Sequence, residues 1–413
     1  MKVFKFGGAS VKDAEAVRNV ARVIGHFPDD ELFVVFSAMG KTTNALEAVW
    51  RAFCSGEATD VLIDIPLDFH LHLIDQLFSA DHPVREEVQK LFKILSDKLQ
   101  APAGEDHDRE YSRIVNFGEI VSTKIISAYL EMEGVENKWL DARTVIITDN
   151  TWRNAKVDWE KSAEVLSSFI PGKRIVITQG FIGGTSDAAT TTLGREGSDF
   201  SAAIFAYLLD AESVTIWKDV PGMFNADPNK FEDTVLLSKI SYREAIELSY
   251  FGASVIHPKT IKPLQNKNIP LCVRSFEDLE ASGSTIHSDG SDDARIPSFI
   301  FKQDQLLISI TPSDFSFIVE SHLYEIFKAF DKAGVTIGLM QNSALNFSVC
   351  VDNSDRTKKL IEHLKGDFEV RYNEGLELVT VRHYDEPTLE KLISGRELIL
   401  EQRSRQTARM VLR

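Results

Sequence analysis

Apolar residues in the first two thirds of the chain follow two alternating patterns. Short apolar runs at 2–6 and 32–36 predict buried strands, and the apolar residues at 14, 17, 20, 21 and 24 share one face of a helix. Further strands are predicted at 145–147, 175–178, 214–217 and 270–273, and further helices at 43–53, 112–130, 160–169, 199–209, 241–250 and 258–267. Residues 55–110 have a helical period and predict a helical excursion. Strands that alternate with helices predict an α/β domain, a parallel sheet between two layers of helices.

A second pattern begins after residues 288–293, whose sequence SDGSDD is small and acidic and predicts a domain boundary. Beyond it, strands are predicted at 306–310, 335–341, 346–351 and 368–372. Leu323, Ile326, Phe327 and Phe330 mark one intervening helix, and apolar residues at 360, 361 and 364 mark another. This βαββαβ order predicts a ferredoxin-like α+β unit.

The tail repeats the start of this pattern. A strand at 376–381, a helix at 388–393 and strands at 398–402 and 409–412 follow, and residues 339–343 align with 400–404. The copy stops after βαββ, so its edge must pair with the first copy or with another subunit. We therefore predict a first domain at 1–287, a linker at 288–303, an α+β unit at 304–375 and a truncated second unit at 376–413.

Composition and charge exclude several classes of protein. The 413 residues include 46 Lys and Arg against 62 Asp and Glu, a net charge of −16. An acidic surface repels nucleic-acid backbones, so we expect no nucleic-acid partner. The three cysteines form no CxxC pair, which argues against a disulfide framework or a thiolate zinc site. Since we find neither a leader pattern nor an apolar run of spanning length, we expect a cytoplasmic, soluble protein with no membrane partner.

The sequence KFGGAS at 5–10 closes the first predicted strand. Gly7 and Gly8 let the backbone approach a ligand closely, and Ser10 is placed to cap the following helix. The helix N-terminus and the ammonium group of Lys5 favour an anion such as phosphate. A tight turn beside a surface lysine is the alternative interpretation.

A second candidate phosphate-binding loop, at Gly40-Lys41-Thr42, does not match the required motif. Gly40-Lys41-Thr42 resembles the end of the GxxxxGK[ST] motif, but that motif requires a glycine at position 35, where the chain has Val35.

A second glycine-rich zone runs from QGFIGG at 179–184 to TTTLGREGSD at 190–199. Arg195 offers two parallel donors to a carboxylate or phosphate. Ser198 or Asp199 is equally consistent with the N-cap of the next helix, and both roles can coexist.

Glu119 lies in the helical sequence NFGE at 116–119, among apolar neighbours. Such a carboxylate needs a partner, which is either a ligand amino group or an internal lysine. His257 precedes Pro258, so we interpret it as a residue of a helix start, and no His or Cys cluster indicates a metal site.

Seven motifs in order resemble the aspartate kinase family of the amino acid kinase superfamily. They are KFGGAS at 5–10, FSAMGKTTN at 36–44, NFGE at 116–119, TQGFIGG at 178–184, TTLGREGSDFSA at 191–202, IWKDVPGMFNADP at 216–228 and FGASVIHPKTI at 251–261. The resemblance covers nearly the whole chain. It implies a three-layer αβα kinase domain of the carbamate kinase type, followed by regulatory ACT domains of ferredoxin-like fold.

The resemblance implies transfer of a phosphoryl group from ATP to the β-carboxylate of L-aspartate. In the family this reaction, by a phosphotransferase with a carboxyl acceptor, is the first step of lysine, threonine and methionine biosynthesis. Lys5, Asp199 and Arg195 would be the catalytic set. The residues expected to bind aspartate are Ser37, Thr43, Glu119, Arg195 and Ser198.

The resemblance also implies bound ATP, with Mg²⁺ held mainly by its phosphates. The residues expected at the nucleotide are Lys5, Gly7, Gly8, Ser10, Lys218, Asp219, Phe224, Asp227, Asn229 and Lys259. From the residues alone, Asp219, Asp227 and Asn229 would be interpreted as plain loop residues. Lys218, Asn229 and Ser254 occupy positions where the family frequently has other residues.

A lysine or threonine effector is expected on the ACT unit, and its candidate residues are Gly338, Met340, Gln341, Asn342 and Ser343. Gly338 stands where lysine-sensing relatives commonly have an aspartate. The family pairs its ACT units between subunits, which implies a homodimer or a larger assembly.

Two other functions remain open from the sequence. Another amino acid kinase would share the fold but phosphorylate a different acid. A catalytically inactive amino-acid sensor would keep the ACT units and lose turnover.

Overall fold

The computed structural model describes residues 1–169, 174–231, 233–253, 256–314 and 316–413. These residues fall into two compact units. The first draws on 1–223, 236–246 and 256–290, and the second on 224–235, 247–253 and 291–413. Ser254, at which the chain differs from the aspartate kinase pattern, lies outside the described residues.

The first part of the chain forms two sheets. Its strands are β1 (Lys2–Phe6), β2 (Leu32–Phe36), β3 (Lys138–Leu140), β4 (Ile147–Thr148), β5 (Ile175–Gln179), β6 (Ile182–Thr185), β7 (Thr190–Thr192), β8 (Ser213–Lys218), β9 (Lys239–Ser241), β10 (Leu271–Ser275) and β11 (Ser284–His287). The larger sheet has the order β3-β5-β2-β1-β8-β10-β11-β9, and β10 and β11 are its antiparallel pair. Strands β4, β6 and β7 form a separate small sheet.

Helices occupy most of the remaining sequence of this part. They are α1 (Ala14–Gly25), α2 (Thr42–Cys54), α3 (Asp60–Leu77), α4 (Val84–Lys98), α5 (His107–Met132), α6 (Trp159–Ser168), α7 (Gly197–Leu208), α8 (Tyr242–Phe251) and α9 (Pro258–Lys267). Helices α3 and α4 confirm the predicted helical excursion. Within the described ranges, no helix combines the length and apolar character needed to cross a membrane.

The two faces of the larger sheet meet different helices. Successive side chains of a strand point to opposite faces. On β1, Phe4 and Phe6 join the apolar core that also contains residues of α1 to α5. On the other face, the ring of Phe33 in β2 lies 4.5 Å from that of Phe205 in α7. The predicted three-layer α/β architecture is confirmed.

The strand predicted at 145–147 is placed wrongly. Residues Ala142–Thr144 form a turn of 3₁₀ helix, and the two-residue strand β4 belongs to the small sheet. Strand β3 takes the edge position beside β5 instead, and at three residues it is too short to give a periodic signal.

The second unit contains one six-stranded antiparallel sheet. Its elements are β12 (Ser298–Pro312), α10 (Glu320–Ala333), β13 (Ile337–Asn342), β14 (Phe347–Asp352), α11 (Asp355–Leu364), β15 (Phe368–Arg382), α12 (Glu386–Ile393), β16 (Leu398–Arg403) and β17 (Thr407–Leu412). The order is β13-β14-β12-β15-β17-β16. The first four strands have the ferredoxin-like arrangement that the βαββαβ pattern predicts.

Two long strands connect the halves of this sheet. Strand β12 starts inside the segment predicted as a linker, and the strands predicted at 368–372 and 376–381 are one strand, β15. The β12–β15 pairing shifts register between Lys302 and Leu307, where Asp304 has a φ of +51° and Gly375 on β15 a φ of +68°. The irregularity bends both strands without ending them.

The register explains how the tail folds without a complete repeat. Residues Ser298 to Lys302 of β12 pair with Leu378 to Arg382 of β15, which pairs in turn with β17. The early part of β12 therefore covers the edge that the sequence left exposed, so the tail pairs with the preceding copy, the first of the two alternatives that the sequence left open. Strands β13 and β16, which the predicted repeat aligns, are the two outer strands.

Replacing Met410 with Ala tests this packing. Met410 on β17 is fully buried in a core with Val379, Val381 and Leu389. We expect the free energy of unfolding to fall by about 2–5 kcal/mol, because the substitution leaves a cavity. Chemical denaturation followed by circular dichroism measures it.

Arg413→Ala is the matched control on the same segment. Arg413 makes an exposed ion pair with Glu397, so its removal should change stability by less than about 1 kcal/mol. Equal effects of the two substitutions would contradict the packing of β17.

Candidate active site

Lys5 lies on the central strand of the larger sheet and faces α7. Strand β1 pairs in parallel with β2 and β8, and Lys5 shares with Val3 the face opposite Phe4 and Phe6. Its Nζ lies 2.6 Å from Oδ1 of Asp199, in the first turn of α7. Both residues are buried, at 8% and 5% exposure. The ion pair fixes where the ammonium group points.

The glycine turn after β1 lies backbone to backbone against the next loop. A Cβ on Gly8 would lie 3.0 Å from the carbonyl oxygen of Ala38 and 3.1 Å from that of Gly40, so a larger residue would push the loops apart. The prediction that Ser10 caps α1 is wrong. It lies inside a 3₁₀ turn and donates to the carbonyl of Trp217, while Asp13 caps the helix.

Glu119 is a buried acid in the middle of α5. It is 2% exposed, and its Oε2 has no hydrogen-bond partner. Burial raises the pKa of Glu119 to about 8, against a smaller opposing effect of hydrogen bonds from backbone N–H groups, including that of Ala38. Since no internal lysine pairs with it in the described part of the chain, this carboxylate is suited to a positively charged ligand group.

Arg195 lies in a loop packed tightly on the turn between β5 and β6. A Cβ on Gly180 would lie 2.5 Å from Cβ of Ser198, and one on Gly197 would lie 2.7 Å from the ring of Phe181. The backbone enters α7 through Gly194 and Glu196, which have φ values of +79° and +53°. Glu196 occupies the N-cap position, so the predicted capping role of Ser198 or Asp199 is wrong.

One cavity of about 1110 Å³ brings these groups together. The predicted residues that line it are Lys5, Ser37, Thr43, Glu119, Arg195, Ser198, Asp199, Lys218 and Lys259. They come from segments as far apart in sequence as Lys5 and Lys259: from β1, the end of β2, α2, α5, the start of α7 and the loop before it, β8 and α9. Cationic side chains, a buried acid and hydroxyl groups therefore line the same cavity.

Other predicted residues lie elsewhere. Gly7, Gly8, Ser10 and Asp219 do not line the cavity, although a Cβ on Gly7 would lie 3.3 Å from Nζ of Lys5. Phe224, Asp227 and Asn229 belong to the second unit. The side chain of Asp227 accepts a hydrogen bond from the backbone N–H of Asn229. This contact is typical of a loop turn.

Lys259 lies in the cavity wall at the start of α9. Its Nζ donates to the carbonyl of Leu193 at 2.8 Å and to Oδ1 of Asn154 at 3.1 Å, and burial lowers its pKa. Lys259 therefore connects α9 to the loop that carries Arg195. The prediction for His257 is confirmed, because its ring accepts from the backbone of Lys259 and caps the helix.

The candidate effector residues lie on the second unit. Gly338, Met340, Gln341 and Asn342 are on the outer strand β13, with Ser343 directly after it. A Cβ on Gly338 would lie 3.1 Å from the carbonyl oxygen of Cys350 and 3.3 Å from the side chain of Leu378. An acidic side chain at 338 would need these neighbours to move.

Sequence reasoning missed several residues of the cavity. They are Asp108, Tyr111, Thr151, Arg153, Asn154, Phe181, Gly194, Glu196, Gly197 and His257. The motif zone at 190–199 contains three of them. Thr151, Arg153 and Asn154 come from a short polar stretch before α6 with no recognisable motif, so only the fold places them here.

Comparison with known proteins agrees with this geometry. Residues 1–275 match the model of the amino acid kinase family. The chain is 32% identical over 362 residues to the maize chloroplastic bifunctional aspartokinase/homoserine dehydrogenase 1, a match that covers 84% of this chain and 39% of that protein. The chain thus spans about two fifths of the length of this relative.

Two solved structures of E. coli aspartokinase III are similar over the whole chain at 26% identity. The complex with lysine and aspartate superposes with a TM-score of 0.85 and the complex with aspartate and ADP with 0.79; this chain covers 95% and 96% of them. The fold and the matched segments place the chain in the amino acid kinase family. Within that family its similarity is to the aspartokinases.

The buried state of Glu119 predicts a pH effect in the ligand-free protein. Its folded pKa of about 8 lies above the ordinary value of 4.5, so the folded state binds more protons between these values. The stability contribution of this group should fall as pH rises through that window, by at most about 1.4 kcal/mol per pH unit. Denaturation curves at pH 5 to 8 for wild type and Glu119→Gln measure the difference.

Glu131→Gln supplies the control, because Glu131 is exposed on the same helix. Its pH profile should overlay that of the wild type. Parallel profiles for wild type and Glu119→Gln would contradict the assigned burial of the charge.

Proposed function

We propose that this protein is an aspartate kinase, which transfers the γ-phosphoryl group of ATP to the β-carboxylate of L-aspartate and gives 4-phospho-L-aspartate and ADP. The observation that carries the proposal is the cavity in which Glu119, whose Oε2 has no hydrogen-bond partner, accompanies Lys5, Asp199 and Arg195. The E. coli relatives, whose structures contain aspartate and either lysine or ADP, support the same assignment.

The chemistry needs positioning and charge neutralisation more than proton transfer. A β-carboxylate with a pKa of about 3.9 is ionised at neutral pH, so no general base is required. Its oxygen attacks the γ-phosphorus of ATP, the bond from that phosphorus to the bridging oxygen breaks, and ADP leaves with the electron pair. The barrier comes from bringing two anions together, which the ammonium group of Lys5 counteracts.

The two ends of aspartate need opposite charges. Glu119 would accept hydrogen bonds from the α-ammonium group, whose charge stabilises the ionised acid. Arg195 would bind the α-carboxylate, and Ser37, Thr43 and Ser198 would add hydrogen bonds. The β-carboxylate would then point toward Lys5, which Asp199 holds in place.

The nucleotide would lie near the glycine turn and Lys218, with Asp219 and Lys259 as further proposed contacts. Oxygen ligands suited to Mg²⁺ are present in the cavity, since Asp199 is buried there and Oε2 of Glu196 is buried without a partner. Asp199 and Glu196 would hold the ion together with phosphate oxygens. Bound there, Mg²⁺ would neutralise part of the phosphate charge.

The second unit supports a regulatory role through its ACT-like folds. We propose an amino-acid effector at β13, assembly into a homodimer or larger oligomer through these folds, and a cytoplasmic location. The crowding around Gly338 favours weak sensitivity to lysine, because an acidic partner for its ammonium group does not fit there without rearrangement.

A coupled assay of ADP release tests the reaction. Wild type should release ADP from Mg-ATP only when L-aspartate is present. Lys5→Ala should lower kcat by about 100- to 1,000-fold, the range for loss of one preorganised group that stabilises transition-state charge. Lys2→Ala is the matched control on the same strand, because Lys2 pairs with Asp30 and lies outside the cavity.

Two outcomes would replace the proposal. Turnover with another amino acid but not with aspartate would make the protein a different amino acid kinase. Absence of turnover with every amino acid, together with saturable binding of lysine or threonine, would make it a sensor.

A further inference from the structure

A short turn between β4 and α6 contributes an arginine to the cavity that none of the seven motifs contains. The turn is Trp152–Asn154, a piece of 3₁₀ helix, and Thr151, Arg153 and Asn154 line the same cavity as Glu119 and Arg195. Contacts of its backbone and of its side chain distinguish Arg153 from a mobile surface residue.

The backbone of this turn is fixed from two sides. Ser112 of α5 donates its hydroxyl to the carbonyl of Trp152 at 3.1 Å, and Thr192 of β7 donates to the carbonyl of Arg153 at 3.3 Å. The N–H of Ala155 donates to the carbonyl of Thr192 at 3.0 Å. Trp152 has a φ of +42°, an unfavourable conformation for a bulky residue that its surroundings maintain.

Two aromatic rings hold the guanidinium group of Arg153. Its central carbon lies 4.1 Å from the ring centre of Tyr111 and 5.2 Å from that of Trp50. The rings are perpendicular, with centres 5.2 Å apart. Trp50 donates its indole N–H to the carbonyl of His107, and Tyr111 donates its hydroxyl to Glu47. Stacking of this kind restricts the side chain while leaving its N–H donors available.

The charge of Arg153 is only weakly compensated. Asp108 lies 3.9 Å away, and both side chains are about half exposed, so this pair contributes little. By contrast, Lys5 in the same cavity makes a short ion pair with Asp199, and Lys259 donates to Asn154 and Leu193. Arg153 is therefore a positioned cation with capacity for an anionic ligand.

We propose that Arg153 binds the α-carboxylate of the amino-acid substrate together with Arg195. This inference rests on the proposed function, and it goes further by assigning a second cation to the carboxylate that does not react. Two arginines on separate segments, one after β4 and one before α7, would recognise the acid end of the substrate while Glu119 binds its amino group. The rings of Trp50 and Tyr111 restrict Arg153 before binding, so less rotamer freedom is lost on association.

Kinetics of Arg153→Gln test the assignment. We expect the KM for L-aspartate to rise about 10- to 100-fold, the range for loss of a charge-assisted hydrogen bond, with kcat and the KM for ATP within about threefold of wild type. Arg153→Lys should recover part of the affinity, because it keeps the charge and loses the planar fork. Arg109→Gln is the matched control, since Arg109 stacks on Trp152 nearby but does not line the cavity.

A substrate analogue separates direct contact from general damage to the site. The α-amide of L-aspartate keeps the β-carboxylate and the ammonium group but has no charged α-carboxylate. Wild type should prefer aspartate to this amide, and Arg153→Gln should reduce that preference at least tenfold in kcat/KM, whereas Arg109→Gln should preserve it.

Three results would overturn the inference. The first is a KM for aspartate in Arg153→Gln within twofold of wild type. The second is an equal loss of kcat/KM for aspartate and its α-amide. The third is a wild-type protein that releases no ADP with aspartate, which would overturn the proposed function as well. Only the third result is seen in the wild-type protein. Failure of the Arg153 assignment alone is therefore distinguishable from failure of the proposed function.

Discussion

The ion pair between Lys5 and Asp199 joins the central strand of the first sheet to the first turn of α7. Two buried charges at this distance need each other, because either one alone would carry a large desolvation cost. The pair therefore requires that β1 and α7 keep their relative positions. Its two backbone segments also carry the glycine turn after β1 and the loop with Arg195, so the geometry of the cavity depends on this contact.

Two further groups of the cavity, the acid of Glu119 and the guanidinium group of Arg195, do not pair with each other. Glu119 reaches the cavity from α5 with an unpartnered oxygen, and Arg195 reaches it from the α7 loop. This separation leaves both groups available to a charged ligand, since an ion pair between them would compete with it. Close packing maintains it: Gly180 and Gly197 let the Arg195 loop approach the β5–β6 turn at distances that no side chain permits.

The second unit contains an incomplete repeat, the tail after the first ferredoxin-like unit. Its tail has too few elements to cover its own sheet edge. The first residues of β12 supply the missing neighbour, and the same strand then continues beyond a bulge into the complete unit. The two halves therefore share their longest strands, and the outer strands β13 and β16 remain as the edges. An effector at β13 would contact an edge of a sheet that spans both halves.

The sequence by itself determined the alternation of strands and helices, the three-layer class and the ferredoxin-like unit, because these depend on local hydrophobic periods that the chain displays directly. It also indicated Lys5, Glu119, Arg195 and Asp199 through motifs with a chemical reason. Only the tertiary structure decided the N-cap positions of α1 and α7, which Asp13 and Glu196 occupy where the sequence predicted Ser10 and either Ser198 or Asp199. It alone placed Arg153 between Trp50 and Tyr111, and it joined two predicted strands into β15. The contacts of Arg153 with Trp50 and Tyr111 link segments 103 and 42 residues apart, and a local pattern carries no information about which distant segment will supply the partner.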